Sequence, residues 1–542
     1  MNFNLVWAAA LADELHRGGV REVVIAPGSR SAPLALALAE RLRAYTVVDE
    51  RSAAFFALGA AKAAGRPVAV LCTSGSAGSH FYPALLEAEA TGVPVVAITA
   101  DRPPELHGWG APQQLDQQRL FGAHAWFADL GVPDPLTLPH LRATVARALQ
   151  QPGPIHLNAP FREPLAPVPE PLPEAHNEPA VRHLRARGVP DVREIAQELS
   201  QRPRGVIVCG PRDARDDLPT AVRELSRALG YAVVADAGGG IEDAVAHADL
   251  ILRHEGWARA LRPDAVVRVG GAVSSKVLQG FLDQARKTVV VHEHGDPVDP
   301  ALRAAAIISG DAPAICQALA AKSRANGSLG GIFDIAERRA RAALEKAFAD
   351  APWGEPLIAR EATLSAELLY VASSMPVRDV DAFAPRRGRV MVNRGLNGID
   401  GIISSAAGAA AVTGARTLAL VGDLALLHDL GGLIAAARLR IPLSVLCVNN
   451  DGGGIFHFLP IAQHAARFEE LFATPHGLDL EGAARLCGAE LIRASDGKAL
   501  RAALQRPASG LRLIEARTDR AANVEQHRAL QQAVLAALGD PP

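Results

Sequence analysis

Short apolar runs, rich in Val, Ile, Leu and Ala, recur along the whole chain and end at Gly, Pro, Asp, Asn or Ser. Runs of this length bounded by turn residues read as buried strands, and the longer stretches between them, where small and apolar residues mix with charged ones, read as helices. Strands are predicted at 23–26, 68–72 and 93–99 in the first third, at 205–211, 265–271 and 288–292 in the middle, and at 417–421 and 442–448 near the end. Residues 430–439 have helical composition, so the last two runs form a strand, helix, parallel strand unit. Residues 4–17 predict an amphipathic helix whose Asp13 and Glu14 do not suit a signal peptide. Such alternation predicts an α/β chain of three doubly wound parallel-sheet domains.

Two composition shifts divide the chain. Seven prolines from Pro160 to Pro179 suit a stiff, extended linker. Residues 323–331 are rich in Gly and Ser, and Trp353-Gly354-Glu355-Pro356 reads as another break. The expected domains are 1–170, 171–345 and 346–542, and 542 residues suit two to four cores. The Gly238-Gly239-Gly240 and Gly270-Gly271 clusters lack the spacing of a dinucleotide fingerprint, so the middle domain reads as scaffold without NAD or FAD. His292 and His294 alternate along a strand with no third ligand in sight, so no metal site is expected there.

Composition narrows this picture only by exclusion. A hydrophobic fraction of 49% with 21% charged residues fits a soluble globular protein, and a net charge of −2 offers no footprint for nucleic acid. No apolar stretch reaches membrane-spanning length. Cys72, Cys209, Cys316, Cys447 and Cys487 are scattered without metal spacing, as expected of a reduced cytoplasmic protein.

Candidate chemistry starts at two strand ends. Gly422-Asp423 closes one apolar run and Asn449-Asn450 the next, and carboxyl ends of strands are where open α/β sheets bind ligands. Mg²⁺ is usually held by one or two protein oxygens together with phosphate oxygens and water, which Asp423 and Asn450 can supply. Gly452, Gly453 and Gly454 follow at once, so phosphates could come close to a backbone without Cβ atoms. The 27 positions from Asp423 to Asn450 resemble the thiamine diphosphate signature of Gly-Asp followed by Asn, although Leu424 replaces its usual next glycine. That cofactor also needs a carboxylate facing its aminopyrimidine ring. Glu50 is the candidate, placed at the end of a strand at 45–49 and before a small-residue helix at 51–61.

Longer motifs resemble a single family. They are Ile25-Ala26-Pro27-Gly28-Ser29-Arg30-Ser31, Asp49-Glu50-Arg51, Thr73-Ser74-Gly75-Ser76, Ala100-Asp101-Arg102-Pro103-Pro104-Glu105-Leu106, Asn393-Arg394-Gly395 with Gly398-Ile399-Asp400-Gly401, and Asn450 through Ile455-Phe456. Together they resemble the 2-succinyl-5-enolpyruvyl-6-hydroxy-3-cyclohexene-1-carboxylate synthases, the MenD family, in order over nearly the whole chain and most weakly in the middle domain. The resemblance implies a thiamine diphosphate-dependent transferase of menaquinone biosynthesis. Such an enzyme decarboxylates 2-oxoglutarate and adds the succinyl-semialdehyde carbanion equivalent to isochorismate in a 1,4-addition. It also implies a pyrimidine-binding first domain, a central Rossmann-like domain and a diphosphate-binding last domain.

Residue by residue, the resemblance makes Glu50 catalytic. It assigns substrate binding to Ser29, Arg30, Arg102, Gln113, Lys276, Ser374, Arg378 and Arg394, which suits two polyanionic substrates because guanidinium forks bind carboxylates bidentately. Cofactor contacts fall to Glu50, Ile399, Gly422, Asp423, Asn450, Gly452, Ile455 and Phe456, with Asp423, Asn450 and Gly452 holding Mg²⁺ or Mn²⁺. Pro112 stands where an asparagine is familiar and Val277 where an arginine is, which puts one isochorismate contact and some positive charge in question. The alternatives are another thiamine diphosphate-dependent 2-oxo acid carboligase or decarboxylase, and a non-catalytic binding module; intact Glu50, Asp423 and Asn450 argue against the last. Glu50 and the metal pair fall in different domains, and the resemblance implies that the cofactor joins such domains across subunits, so a homodimer or dimer of dimers is expected.

Overall fold

The computed structural model describes residues 3–165, 171–174, 181, 188–213 and 216–542. Three sheets carry the fold, and every pairing in them is parallel. The first comprises β1 (Glu22–Ile25), β2 (Arg43–Thr46), β3 (Val68–Cys72), β4 (Val95–Asp101), β5 (Trp126–Asp129) and β6 (Ile155–Pro160), in the order β2-β1-β3-β4-β6-β5. The second comprises β7 (Gly205–Cys209), β8 (Ala232–Ala235), β9 (Ala265–Val269), β10 (Lys287–His292) and β11 (Ala304–Ser309), ordered β11-β10-β9-β7-β8. The third comprises β12 (Leu368–Val371), β13 (Arg389–Val392), β14 (Thr417–Gly422), β15 (Leu443–Asn449), β16 (Glu490–Ala494) and β17 (Leu511–Arg517), ordered β13-β12-β14-β15-β17-β16.

The first and third sheets therefore share one topology. In each, the chain runs outward from the first strand to the second and then reverses across to the third. That reversal leaves a crevice between the carboxyl ends of the first and third strands. It lies by Pro27–Arg30 and Thr73–Gly75 in one sheet, and by Ser373–Ser374 and Asp423 in the other.

Two compact units contain these sheets. One is Met1–Ala186 with Ile403–Gly414 and Asp429–Ile441; the other is Arg187–Ile402 with Ala415–His428 and Pro442–Pro542. In the first unit, helix Glu50–Ala64 meets residues 403–414 at glycine contacts. A Cβ on Gly59 would lie 1.9 Å from the Ser405 carbonyl oxygen, and one on Gly408 would lie 2.0 Å from that of Phe56. Only glycine lets the two helix backbones come this close. Ser405 Oγ donates to the Phe55 carbonyl at 3.1 Å, and buried Asp429 accepts from Ser404 N and Oγ at 2.7 Å each. In the second unit, helix Gly330–Ala349 runs unbroken through residue 345 and packs with the last helix, Arg520–Leu538, in a core that includes Val206, Val208, Val266 and Phe383.

Several sequence expectations need correction. Helix Phe3–Arg17 is buried on nearly all sides rather than amphipathic, with Trp7 and Leu11 fully enclosed. Its acidic residues are inside too: Asp13 pairs with Arg41 at 3.0 Å and Glu14 with Arg17 at 3.0 Å, which compensates their burial. The strand expected at 45–49 ends at Thr46; Val48 is exposed, and Asp49 caps the next helix by accepting Ser52 N at 3.1 Å. Asp101 belongs to β4, two residues past the expected end, and pairs in register with Pro160. Pro160 thus closes β6 and Phe161 joins the core, so the linker does not begin there; its residues 166–170 and 175–179 lie outside those described. In the middle sheet, glycines serve close backbone crossings. A Cβ on Gly210 would lie 1.8 Å from Gly271 O, and one on Gly239 would lie 2.5 Å from Cys209 O.

Candidate active site

Asp423 follows β14 directly and starts a short helix, Asp423–His428, not foreseen from sequence. Its carboxylate is buried, with Oδ1 accepting Leu424 N at 2.7 Å and Oδ2 accepting Gly452 N at 2.9 Å. Burial raises its pKa, and the two backbone N–H groups and His476 work against that rise. Asn450 follows β15, the neighbouring strand. Its Nδ2 donates to Glu355 Oε1 at 2.8 Å, while its Oδ1 is buried without any hydrogen-bond partner.

A buried amide oxygen without a donor is uncommon and points to a missing positive partner. Among the described residues no group of three or more His, Cys, Asp or Glu could hold a metal. A cation here would therefore rely on one carboxylate, the Asn450 oxygen, a backbone carbonyl and oxygens brought by a ligand, a set that suits Mg²⁺ bound with a diphosphate. The glycines after Asn450 accommodate the protein's own chain. Gly452 has φ +136°, and a Cβ there would lie 2.1 Å from Ala473 O. Gly453 N donates to that same oxygen at 2.7 Å and Gly454 N to Gly452 O at 3.0 Å.

Of the other expected residues of this unit, Ser374 and Arg394 follow strands of the same sheet, Arg378 lies in helix Met375–Phe383, and Lys276 belongs to the middle sheet's region. Ser374, after β12, has φ +72°, a strained value for a residue with a Cβ, and its carbonyl accepts Arg378 Nη1 at 2.5 Å. Arg394 follows β13, and its Nε is buried without a partner. Burial lowers the Arg378 pKa and the charge of Arg394 lowers it further, while Asp379 and Asp381 work against that fall. Asn393 Oδ1 accepts the Tyr370 hydroxyl at 2.6 Å and fixes the turn. Ile399 is half-buried, Ile455 and Phe456 lie in the 3₁₀ turn Gly454–Phe458, and Phe456 meets Phe472 edge to face at 5.8 Å. Lys276 opens a short helix, Lys276–Leu282, and is exposed.

The first unit carries Glu50, Ser29, Arg30, Arg102 and Gln113. Glu50 is the first residue of helix Glu50–Ala64 and is half-buried in the wall of a cavity of about 630 Å³. Val47, Val48, His80, Ile434 and Arg438 line the same cavity. Arg102 follows β4; it is buried, donates to Ser74 Oγ, and has its pKa lowered by burial and then by Arg30. Arg30 donates to Phe161 O at 3.0 Å and pairs with Glu163 at 3.2 Å, leaving its Nε buried and unpartnered. Arg30 and Arg102 are near enough to influence each other's charge, and Arg102 reaches Ser74 by the crevice between β1 and β3. Ser29 is exposed beside them, and Gln113, with φ +55°, abuts Gly75: a Cβ on that glycine would lie 3.3 Å from Gln113 Cβ.

Three contributors were missed from sequence. Gln117 is fully buried and stitches the Gln113 loop to the Ser74–Gly75 turn, accepting Gly75 N at 3.0 Å and donating to Ala100 O at 3.1 Å and Asn158 Oδ1 at 3.0 Å. His476 accepts Leu478 N through Nδ1 at 2.9 Å, so its Nε2 carries the proton and faces Asp423 Oδ2 at 3.4 Å. Glu355, read as part of an interdomain break, contacts Asn450. Gln117 lies four residues past the Gln113 motif, whereas His476 and Glu355 belong to no motif at all.

Comparison with known proteins agrees with this geometry. Residues 6–120 match the N-terminal TPP binding domain of the thiamine pyrophosphate enzymes, residues 175–367 their middle domain, and residues 376–516 their C-terminal TPP binding domain. The chain is 50% identical to the 2-succinyl-5-enolpyruvyl-6-hydroxy-3-cyclohexene-1-carboxylate synthase of Myxococcus xanthus, over 100% of this chain and 99% of that protein. It is 42% identical to the enzyme of that name from Geobacillus kaustophilus, over 97% of each chain, and 41% identical to that of Chloroflexus aurantiacus, over 98% of this chain and 96% of that one. With the strand-end acid, amide and arginines in place, this chain belongs to the 2-succinyl-5-enolpyruvyl-6-hydroxy-3-cyclohexene-1-carboxylate synthase family of thiamine diphosphate enzymes.

Proposed function

We propose that this chain decarboxylates 2-oxoglutarate and joins the remaining four-carbon unit to isochorismate by 1,4-addition, a carboligation of menaquinone biosynthesis. The observation that carries the reading is the buried, unpartnered Asn450 Oδ1 beside the Asp423 carboxylate at adjacent strand ends. Bound thiamine diphosphate supplies the carbon nucleophile and the electron sink for decarboxylation.

The remaining work belongs to the chain's own residues. Asp423, Asn450 and the Gly452 carbonyl would hold Mg²⁺, or Mn²⁺ in its place, against the diphosphate, with Gly422 giving that group room. Glu50 would hold the proton exchanged at the aminopyrimidine. Arg30 and Arg102, with Ser29 and Gln113, and likewise Arg378 and Arg394, with Ser374 and Lys276, would grip substrate carboxylates. Ile399, Ile455 and Phe456 would shape the apolar side of the cofactor site. Their joint effect is orientation and charge stabilisation.

The domains would divide as 1–170 for the pyrimidine, 171–345 as scaffold and 346–542 for the diphosphate. The same family reading makes the protein a homodimer or dimer of dimers. Five free cysteines, four of them buried, fit a reducing cytoplasm. No helix among the described residues is long and apolar enough to cross a membrane.

The deciding experiment incubates purified protein with thiamine diphosphate, Mg²⁺, 2-oxoglutarate and isochorismate and identifies the product by mass. Pyruvate in place of 2-oxoglutarate tests the alternative of a different carboligase or decarboxylase; preferential turnover of pyruvate would overturn the substrate assignment.

A further inference from the structure

Glu355 opens helix Glu355–Ser365, far from the metal motif in sequence, and only 2% of it is exposed. Its position is fixed from behind. A Cβ on Gly354 would lie 1.7 Å from Gln526 Oε1, and Trp353 Nε1 donates to Arg517 O at 2.7 Å, so the turn before the helix is pressed against the terminal helix and β17. Glu355 Oε1 accepts from Asn450 Nδ2 at 2.8 Å and from Thr518 Oγ1 at 3.1 Å. Thr518 is in turn tied to β15, its N donating to Asn449 O at 3.0 Å.

The chemistry of this contact has a direction. A carboxylate only accepts hydrogen bonds, whereas a carboxamide has one donating and one accepting end. Glu355 Oε1, which accepts from both Asn450 and Thr518, holds the NH₂ end of Asn450 and turns the oxygen away, where it is buried with no hydrogen-bond partner. Asn450 alone could present either end to a cation, and the NH₂ end would repel it.

We propose that Glu355 is a positioning residue for metal binding: by holding Asn450 Nδ2, it aims Asn450 Oδ1 at the cation that accompanies the diphosphate. This rests on the cofactor reading above. Residues that orient a metal's direct ligands commonly contribute 10- to 100-fold in metal affinity.

The test follows the thermal stabilisation of the full-length protein by thiamine diphosphate as MgCl₂ is titrated, a readout independent of turnover. Glu355→Met should raise the half-saturating Mg²⁺ concentration by about tenfold or more. Asn450→Asp should do the same, because it sets two carboxylates face to face. The double variant Glu355→Gln with Asn450→Asp reverses donor and acceptor across one contact and should recover most of the loss seen in Asn450→Asp alone. A residue that only packs its helix would lower the melting temperature of the cofactor-free protein without moving the Mg²⁺ midpoint, and would give no recovery in the swap; that result overturns the proposal. If the wild type itself shows no Mg²⁺-dependent stabilisation, the cofactor reading fails instead.

Discussion

Asp423 Oδ2 accepts the Gly452 backbone N–H at 2.9 Å and so joins the end of β14 to the loop after β15. One carboxylate thus does structural work on the loop that would carry the metal, besides offering a charge to it. Asp423→Ala removes both functions. A ligand at about 100 times its Kd stabilises a protein by about 2.7 kcal/mol, and the variant should lose most of that gain with thiamine diphosphate and Mg²⁺. Differential scanning calorimetry with and without cofactor checks it; an undiminished shift would remove Asp423 from the site.

Glu50→Gln separates binding from chemistry. The side chain keeps its size at the start of helix Glu50–Ala64, so the fold and the cofactor-dependent stabilisation should persist. Turnover should fall by about 10²- to 10⁴-fold, the usual span for a lost acid–base group. Steady-state kinetics beside a thermal melt would reveal both outcomes, and near-normal turnover would displace Glu50 from its role.

Arg102 is buried beside Arg30 and donates to the neutral Ser74 hydroxyl, while Asp101 and Glu163 offset part of its charge. A hydrogen bond to a charged group contributes about 1.5–3 kcal/mol, so Arg102→Ala should lower kcat/KM for isochorismate by about tenfold or more. Arg102→Lys should recover only part, since an ammonium lacks the planar fork. The same constants measured for 2-oxoglutarate should change much less, and equal losses for the two substrates would refute the assignment.

His156 makes acid stability testable. Thr99 Oγ1 donates to Asn158 Oδ1 at 2.9 Å and so takes the proton of His156 Nε2 across 2.8 Å, which fits a neutral ring. Burial depresses the His156 pKa from 6.5 to about 3. Between those values the unfolded chain binds a proton that the folded one refuses. Stability is therefore complete above pH 6.5 and is lost as pH falls toward 3, by roughly 2–3 kcal/mol between pH 7.5 and 4.5. Urea melts at those two pH values should show a smaller loss in His156→Gln, and an equal loss would place the acid sensitivity elsewhere.

Much of this was legible in the chain. The apolar run ending at Gly422-Asp423 and the next ending at Asn449-Asn450 did become adjacent parallel strands, because a strand buried on both faces must be apolar throughout and must end where polar residues begin. Boundaries were less legible. Asp49 reads as the last strand residue by composition, yet its carboxylate is worth more as a helix cap; Asp13 and Glu14 read as part of an amphipathic helix, yet both are buried, Asp13 paired with Arg41 of the next helix and Glu14 with Arg17 of its own.

By itself the sequence determined the α/β class, the strand-end placement of Asp423 and Asn450, and the family, since these depend on local patterns and spacings. The tertiary structure alone decided that Glu355 grips Asn450 across 95 residues, that His476 faces Asp423, and that Gln117 stitches the Gln113 loop to the Ser74–Gly75 turn. Those contacts join segments distant in the chain, and a side chain's partner depends on where folding carries it, which no local spacing encodes.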